Sequence, residues 1–389
     1  MTKILLRKGK EKKIRQGDPW IFDNEIREVQ GSFQPGDIVD VFSGKNTFLG
    51  RGYINPNSKI MVRILTRNDE EINREFFRKR ISNAWEYRKK VVDTSSCRVI
   101  FGEADFLPAL IVDKFEDYLS VQTLALGIDK YKDTIVDVLD EVIGSKGIYE
   151  RNDVPVRKLE GLDQRKGFLK GPFDTDIVIN ENEVKMLVDI AGGQKTGYFL
   201  DQRENRANLK HYVKDARVLD AFTHTGGFAI HAANYGAKEV VAVDISEHAI
   251  EYVNKNAELN GVQDKVHGVV ANVFDILKDY NTEKEKFDVV ILDPPAFCKS
   301  KSAVESAYRG YKEINLRAMK IIKSGGFLIT CSCSHYMYPY MFIEMLEDVA
   351  RDAGKSVRQI EVRGQAKDHP ILFGYNESSY LKCVVLQIM

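Results

Sequence analysis

The sequence is poor in cysteine, and its five cysteines are widely spread except for the close pair Cys331 and Cys333. An odd number without a repeated spacing is a poor disulfide framework, and no spacing of cysteine and histidine matches a zinc site. We therefore expect a protein of the reducing cytoplasm that holds no metal ion.

Long apolar runs are also missing from the chain. No stretch approaches the roughly 20 consecutive apolar residues that cross a bilayer. The first residues lack the apolar core of a secretory signal. Both absences argue against a membrane protein.

The chain has no excess of charge of either sign, because its formal net charge is zero. The distribution is nevertheless uneven, since residues 1–90 contain 20 basic and 12 acidic side chains. A basic N-terminal third favours contact with a polyanion there, although a solvated charged surface would have the same composition.

Three stretches with different patterns divide the sequence. Residues 1–72 contain short alternating segments separated by turn residues, among them Val39–Phe42 and Met61–Leu65, which predicts a small β-barrel. Residues 73–175 predict a mixed α/β region with a helix over 74–92 and a polar connection over 166–171. Residues 176–389 begin with a hairpin and then alternate apolar strands with helices, which predicts a mostly parallel sheet covered on both faces.

Polar residues in the third stretch follow directly after predicted strands. Asp220, Asp244, Asn272 and Asp293 come at the ends of four of them, and Gly226–Gly227 follows the first. Ligands of open α/β sheets bind at the carboxyl ends of the strands, where an acid can accept hydrogen bonds from both ribose hydroxyls. The missing Gly-x-Gly-x-x-Gly pattern disfavours a nicotinamide enzyme and favours an adenosine ligand without phosphates. The alternative is that the glycines form only a tight turn and that Asp244 only caps a helix.

These motifs carry a family resemblance. Val218–Phe228, Asp244 and Asp293–Pro295 resemble the class I S-adenosylmethionine-dependent methyltransferases, and Gly193–Arg203 narrows the resemblance to the bacterial large-subunit (23S) rRNA cytosine-C5 methyltransferases. In the first stretch, Gly17–Phe22 and Pro35–Asp37 are similar to the RNA-binding PUA barrel of that family.

The resemblance implies an α/β fold with a Rossmann-like class I methyltransferase domain over 176–389, built on a mostly parallel seven-stranded sheet. A PUA-like RNA-binding β-barrel over 1–72 and a small α+β middle domain over 73–175 would precede it. S-adenosylmethionine would be the cofactor and RNA the partner, in particular large-subunit ribosomal RNA. The oligomeric state is left open, with a homodimer as one arrangement.

The same resemblance implies which residues line the cofactor pocket. The family often has aspartate where this chain has Asn272, and asparagine still offers a hydrogen bond to an adenine amine. The residues implied are Phe199, Arg203, Asp220, Ala221, Phe222, Thr223, Thr225, Gly226, Asp244, Ile245, Asn272, Val273 and Asp293.

Carbon 5 of a pyrimidine is a poor nucleophile, and one solution is addition of a thiolate to carbon 6. We predict Cys333 as that nucleophile, with Cys331 as second choice, and Asp293 as the group that holds the base edge. The alternative is that both cysteines are small core residues. Cys298 is interpreted as incidental, Phe297 as either a stacking or a core residue, and the base that releases the product is unassigned.

A basic run with a single acid near the N-terminus predicts phosphate contacts that give affinity without sequence choice. Trp20 offers a surface for stacking on a base, although a core role fits it equally well. The predicted RNA-binding residues are Arg7, Lys8, Lys10, Lys12, Lys13, Arg15 and Trp20.

Two other functions remain open at this point. Asp-Pro-Pro followed by an aromatic residue also occurs in enzymes that methylate a base amino group without a thiol. The second is a non-catalytic RNA-binding or ribosome-assembly factor with a degenerate catalytic domain.

Overall fold

A computed structural model describes all 389 residues, and its first sheet is a six-stranded β-structure that follows the predicted alternation. Inward residues such as Val39, Val41 and Val62 are fully buried and form its core. One short helix in this region was not predicted, because its basic residues hide the helical period. The elements are β1 (Thr2–Leu6), α1 (Glu11–Gln16), β2 (Trp20–Phe22), β3 (Ile26–Gln30), β4 (Ile38–Phe42), β5 (Phe48–Ile54) and β6 (Ile60–Thr66), with strand order β2-β6-β5-β4-β1-β3.

The second sheet has five strands and is packed against two helices. The first helix begins where the side chain of Asn73 accepts a hydrogen bond from the N–H of Phe76 at 3.1 Å, which is an N-cap. The elements are α2 (Arg74–Val91), β7 (Ser96–Phe101), β8 (Leu110–Phe115), β9 (Tyr118–Thr123), α3 (Leu126–Asp129), α4 (Lys132–Ile143), β10 (Gly147–Asn152), α5 (Val156–Leu159) and β11 (Arg165–Lys170), in the order β11-β10-β9-β8-β7.

The prediction of a polar connection over 166–171 is wrong, because this segment contains the edge strand β11. It pairs antiparallel with β10, whose six residues are all buried, while none of its own six residues is. A strand at the edge of a sheet has one open side and keeps polar side chains there. Its polarity therefore reflects exposure and not the absence of a strand.

The third sheet is mostly parallel and seven-stranded, as expected. A separate two-stranded hairpin precedes it, and only β20 runs antiparallel to its neighbours. The elements are β12 (Asp176–Glu181), β13 (Val184–Asp189), α6 (Arg203–Asn208), β14 (Arg217–Ala221), α7 (Gly227–Asn234), β15 (Glu239–Asp244), α8 (Glu247–Leu259), β16 (Val266–Val270), α9 (Val273–Thr282), β17 (Phe287–Leu292), α10 (Val304–Ile321), β18 (Ile322–Ser332), α11 (Pro339–Asp352), β19 (Val357–Arg363) and β20 (Lys382–Ile388), in the order β16-β15-β14-β17-β18-β20-β19.

The strand register brings the carboxyl ends of the central strands to one edge. Ala221 lies opposite Val243 on one side and Leu292 on the other, and Leu292 lies opposite Thr330. The residues that follow these strands therefore meet at this edge, which is where open α/β sheets bind ligands.

The chain forms two compact units. One contains 1–179, 188–201 and 367–378, and the other contains 180–187, 202–366 and 379–389. The first two sheets therefore lie in one unit, so the three domains proposed from the sequence stay a prediction. No helix combines the length and the apolarity that crossing a bilayer requires.

A buried ion cluster within the second unit joins Glu181 to α6 and α7. Arg206 donates two hydrogen bonds to Glu181, at 2.6 and 2.9 Å, and both side chains are almost fully buried. Burial alone would raise the pKa of Glu181, but the attraction of Arg206 outweighs it and lowers the pKa. Burial lowers the pKa of the neighbouring His231 to about 4, so this imidazole is neutral at pH 7.

We expect Glu181→Ala to lower the free energy of unfolding by about 3 kcal/mol, because it leaves the charge of Arg206 buried without a partner. Glu239→Ala, which removes a carboxylate from a half-exposed pair with Arg217, is the control and should cost at most about 1 kcal/mol. Urea unfolding followed by circular dichroism measures both. Equal urea midpoints for the two variants would contradict the expectation.

Candidate active site

Asp220 lies near the carboxyl end of β14, and its carboxylate is fully buried. One oxygen, Oδ2, accepts hydrogen bonds from the hydroxyl of Thr223 at 2.6 Å and from the N–H of Ala229 at 2.9 Å. The other, Oδ1, has no hydrogen-bond partner. Burial raises the pKa of Asp220 to about 7, and the nearby carboxylates of Asp293 and Asp244 add to the rise.

The loop after Asp220 adopts a left-handed backbone at Phe222, His224 and Gly226, with φ of 66°, 52° and 88°. Asp244 supports it, because its Oδ2 accepts the N–H of His224 at 2.9 Å. The cap of α8 is Ser246, whose hydroxyl accepts the N–H of Ala249 at 3.2 Å. The alternative in which Asp244 merely caps that helix is therefore not what the structure contains.

Two apolar side chains are exposed beside these carboxylates. Ile245 is 71% exposed directly after β15, and Val270 is 48% exposed at the end of β16. Asn272 lies on the same edge, where its side-chain oxygen caps α9 by accepting the N–H of Phe274 at 2.9 Å. An apolar surface beside hydrogen-bonding groups is typical of a small-molecule site.

Asp293 follows β17 and is oriented by a residue that the sequence reasoning missed. The amide of Gln202, itself almost fully buried, donates to Oδ1 of Asp293 at 3.0 Å. Asn205 in turn donates to the side-chain oxygen of Gln202 at 2.6 Å. Gln202 lies in the segment Gly193–Arg203, which carried the family resemblance, but nothing in that segment predicted a contact with Asp293.

The two cysteines near the end of β18, separated by Ser332, have different surroundings. Cys331 is fully buried opposite Cys383 on β20. Interaction with the Cys383 thiol and burial raise its pKa well above the usual range, so Cys331 is poorly suited to form a thiolate. Cys333 lies just beyond the strand, is half-buried, and is the only one of the five cysteines that is not buried.

The loop that carries Asp293 is joined to the end of β18. The thiol of Cys333 points to the carbonyl oxygen of Pro294 at 3.9 Å. The buried hydroxyl of Ser334 accepts the N–H of Cys298 at 3.0 Å and is hydrogen-bonded to the hydroxyl of Tyr311 at 2.9 Å. Asp293 and Cys333 therefore lie on two loops that are held together.

Phe297 packs inside this loop and not on its surface. Its ring centroid lies 4.7 Å from that of Tyr311, 6.1 Å from Phe274 and 6.5 Å from Phe222. These contacts favour the core interpretation of Phe297 over a stacking role. Cys298 is buried, and its thiol donates to the carbonyl of Ser300 at 3.3 Å, which agrees with an incidental thiol.

A buried lysine completes the arrangement and was also missed. Lys382 lies opposite Ser332 across the β18–β20 ladder and is 5% exposed. Its ammonium donates to the carbonyl oxygens of Ser334 at 2.6 Å and Tyr380 at 2.8 Å. Burial lowers its pKa to about 8, while the neighbouring thiols of Cys333 and Cys298 act in the opposite direction.

Comparison with known proteins agrees with this geometry. Residues 162–376 match the family model described as S-adenosylmethionine-dependent methyltransferase, and residues 4–67 match that of a PUA-like domain. A Vibrio cholerae protein named ribosomal RNA large subunit methyltransferase I is 41% identical, covering 99% of each chain. An Alteromonas mediterranea protein of the same name is 40% identical over 100% of this chain and 99% of its own.

This chain belongs to the S-adenosylmethionine-dependent methyltransferase family. Among solved structures, one from Streptococcus mutans described as a SAM-dependent methyltransferase superposes with a TM-score of 0.85 at 22% identity over the whole of both chains. A methyltransferase complexed with SAH superposes with a TM-score of 0.87, also at 22% identity over both whole chains. At this identity the structures show the shared fold.

The residues at the sheet edge fit S-adenosylmethionine, the cofactor of this methyltransferase family. Asp220 offers a buried oxygen without a partner, and Asp244 retains acceptor capacity beyond its two backbone hydrogen bonds. The sulfonium and ammonium charges of the cofactor complement this group of carboxylates. Exposed Ile245 offers an apolar surface to a base.

Two predicted cofactor residues have other contacts. Phe199 lies in the first unit, where the ammonium of Lys195 is 4.2 Å from its ring centroid. Arg203 is 8% exposed and faces Glu181 at 3.7 Å. Their roles in binding the cofactor therefore stay predictions.

The predicted RNA-binding residues divide into two groups. Trp20 donates its indole N–H to Glu103 at 2.8 Å and packs edge-on against Tyr375, which favours its core interpretation. Lys13 pairs with Glu25 at 2.7 Å. The remaining basic side chains are exposed to solvent: Arg7, Lys8, Lys10, Lys12 and Arg15.

The raised pKa of Asp220 predicts a pH dependence of cofactor binding. If the cationic cofactor binds the ionised carboxylate, a pKa of about 7 leaves roughly one tenth of the protein competent at pH 6, against nine tenths at pH 8. We expect affinity to rise about tenfold between these values, measured by calorimetry. Asp220→Asn, which cannot ionise, is the control for titration of the ligand itself. The same pH slope in both proteins would disprove the role of Asp220.

Proposed function

We propose that this protein methylates carbon 5 of a cytosine in large-subunit ribosomal RNA through a covalent intermediate on Cys333. The observation that carries the proposal is the position of the Cys333 thiol. It is the one accessible thiol of the chain, and it contacts Pro294 in the loop that carries Asp293. That loop lies at the sheet edge whose residues fit the cofactor. The substrate class is supported by full-length relatives named ribosomal RNA large subunit methyltransferase I.

The thiol overcomes the low reactivity of carbon 5. The Sγ of Cys333 bonds to carbon 6 of the base, and the electron pair of the 5,6 double bond shifts to carbon 5. S-adenosylmethionine, when bound, supplies an electrophilic methyl group. Carbon 5 uses the shifted electron pair to bond the methyl group. A base or a water molecule then takes the carbon 5 proton, and the electron pair of that C–H bond re-forms the 5,6 double bond as the bond from carbon 6 to Sγ breaks and frees the enzyme.

Asp293 acts on the edge of the base in this proposal. Its carboxylate is oriented by a hydrogen bond from Gln202, and an ionised carboxylate can accept hydrogen bonds from the donors on a base edge. The two prolines that follow restrict the backbone, and Pro294 touches the thiol of Cys333. The acid and the nucleophile can therefore address one flipped base from neighbouring loops.

The PUA-like barrel supplies RNA affinity in this proposal. Five basic side chains of the N-terminal run are exposed and not engaged in the sheet core. Contacts of such residues with phosphates fix the position of RNA without reading its sequence.

All five cysteines are free thiols, which supports a cytoplasmic location.

Cys333→Ala should lower methyl transfer to RNA by a factor of about a thousand or more, because the covalent step is lost. Cys331→Ala is the matched control and should stay within about tenfold of the wild type, since that thiol is buried and its pKa is raised. Incorporation of labelled methyl groups measures the rate, and mass spectrometry of nucleosides identifies the product.

Other outcomes would select another function. Full activity of Cys333→Ala, with the methyl group on a base amine, would indicate the enzyme class that needs no thiol. A wild-type protein that neither methylates RNA nor releases heat with S-adenosylmethionine would indicate a non-catalytic RNA-binding factor.

A further inference from the structure

Two exposed aromatic side chains follow Cys333 closely along the chain. Tyr338 is 42% and Tyr340 is 62% exposed. Their rings are parallel within 9°, with centroids 6.0 Å apart, and His335 meets Tyr338 edge-on at 6.4 Å. The two parallel, exposed rings therefore form one local aromatic group at the surface.

The backbone beneath these rings is held in place. Ser334 and Met337 are both fully buried and anchor the segment on either side of His335. Pro339 is the first residue of α11, and Tyr338 before it is extended, with φ of −62° and ψ of 153°. Because the segment is already ordered, a ligand would lose little free energy in fixing it.

Positive charge is present on the loop that is hydrogen-bonded to this segment. The hydrogen bond from the N–H of Cys298 to Ser334 brings the loop after β17 to this segment. Lys299, the next residue, is exposed, and so is Lys301. Aromatic faces combined with cations are the features by which proteins bind single-stranded nucleic acids.

We propose that Tyr338 and Tyr340 form a stacking surface for the unpaired nucleotides that flank the target base in the RNA. This inference rests on the proposed function, because Cys333 marks where the target base lies. It assigns RNA affinity to the catalytic unit in addition to the basic side chains of the PUA-like barrel.

Replacing both tyrosines by alanine should weaken binding of a short single-stranded RNA by about tenfold or more, because base stacking is lost. The variant with both tyrosines changed to phenylalanine keeps the rings and should bind like the wild type. Phe168→Ala, which removes a 47% exposed aromatic side chain from β11, is the control. Fluorescence anisotropy measures RNA affinity, and calorimetry checks that binding of S-adenosylmethionine is unchanged.

If the double alanine variant binds RNA with wild-type affinity, the proposal is overturned. This holds also if the variant differs from the wild type in self-association alone. Failure of the proposed function would look different, because the wild type itself would then not methylate RNA. The tyrosines are exposed, so we expect all variants to fold.

The buried charge of Lys382 supports a second, independent inference. Its ammonium bonds only to backbone carbonyls and has no ion pair with a carboxylate. A buried cation without a counter-ion favours a negative charge on a neighbouring group. Titratable side chains near Cys333 include Cys298 and Asp293 on the loop after β17, Tyr311 on α10 and His335 on its own loop. Of these four, only His335 can become positive.

We infer that Lys382 is a positioning residue that stabilises the thiolate of Cys333. When the thiol ionises, its proton passes to solvent, which reaches this half-buried side chain. The negative charge left on Sγ and the ammonium of Lys382 attract each other. Lys382 contacts Ser334, the next residue, so its position is tied to that of the thiol. Stabilisation of the thiolate by Lys382 does not depend on the proposed function. Only the use of that thiolate in catalysis rests on the proposal that Cys333 is the nucleophile.

Alkylation by iodoacetamide measures the thiolate without RNA or cofactor, since Sγ of the thiolate displaces iodide. Mass spectrometry follows Cys333, because the other four cysteines are buried. We expect the pKa of this thiol to lie below its ordinary value of about 8.5. In Lys382→Met it should rise by about one unit, which slows alkylation at pH 7 about tenfold.

Lys382→Arg keeps the charge and should restore most of the alkylation rate. Lys323→Met, at the opposite end of β18 where the lysine pairs with Asp288, should leave it unchanged. The same alkylation profile in the wild type and in Lys382→Met would overturn the inference. A wild-type thiol pKa at or above about 8.5 would also do so, even if Lys382→Met did not fold. Neither result depends on whether Cys333→Ala loses methylation.

Discussion

The buried hydroxyl of Ser334 holds together the two loops on which the active-site arrangement depends. It accepts the N–H of Cys298 from the loop after β17 and is hydrogen-bonded to Tyr311 on α10. Loops at strand ends otherwise have few contacts of their own and move independently. Because both loops are fixed to one point, Asp293 and Cys333 keep a constant relation, which a reaction on a single base requires.

The strand order separates the charges of this edge into two regions. Asp220 and Asp244 lie at the ends of β14 and β15, and Asp293 follows β17, on the side where a cationic cofactor would be stabilised. Lys382 starts β20, on the other side of β18, where a developing thiolate would be stabilised. The fold thus places each charge near the group of opposite sign, and a buried edge makes both interactions stronger than they would be in water.

Local patterns in the sequence predicted much of this molecule. Apolar strands alternating with helices indicated the parallel sheet, and acids after the strands indicated the cofactor edge, because both depend on neighbours in the chain. Gln202 and Lys382 could not be predicted, since each acts on a residue far away in sequence through a contact that only the folded sheet creates. The strand β11 was misjudged and the role of Trp20 was left open for the same reason, since edge position and the side-chain contacts of Trp20 are properties of the tertiary structure.

The pair Cys331 and Cys333 shows how a single strand pairing can give two thiols opposite properties. Strand β20 places Cys383 against Cys331, and burial with a second thiol raises the pKa of Cys331 and closes it to solvent. The ladder ends at Ser332, so Cys333, one residue further, stays accessible. The same strand begins with Lys382, which brings a cation to the end of the ladder. The antiparallel strand therefore closes one thiol to solvent and leaves the other accessible, and the proposed choice of Cys333 over Cys331 depends on where the ladder stops.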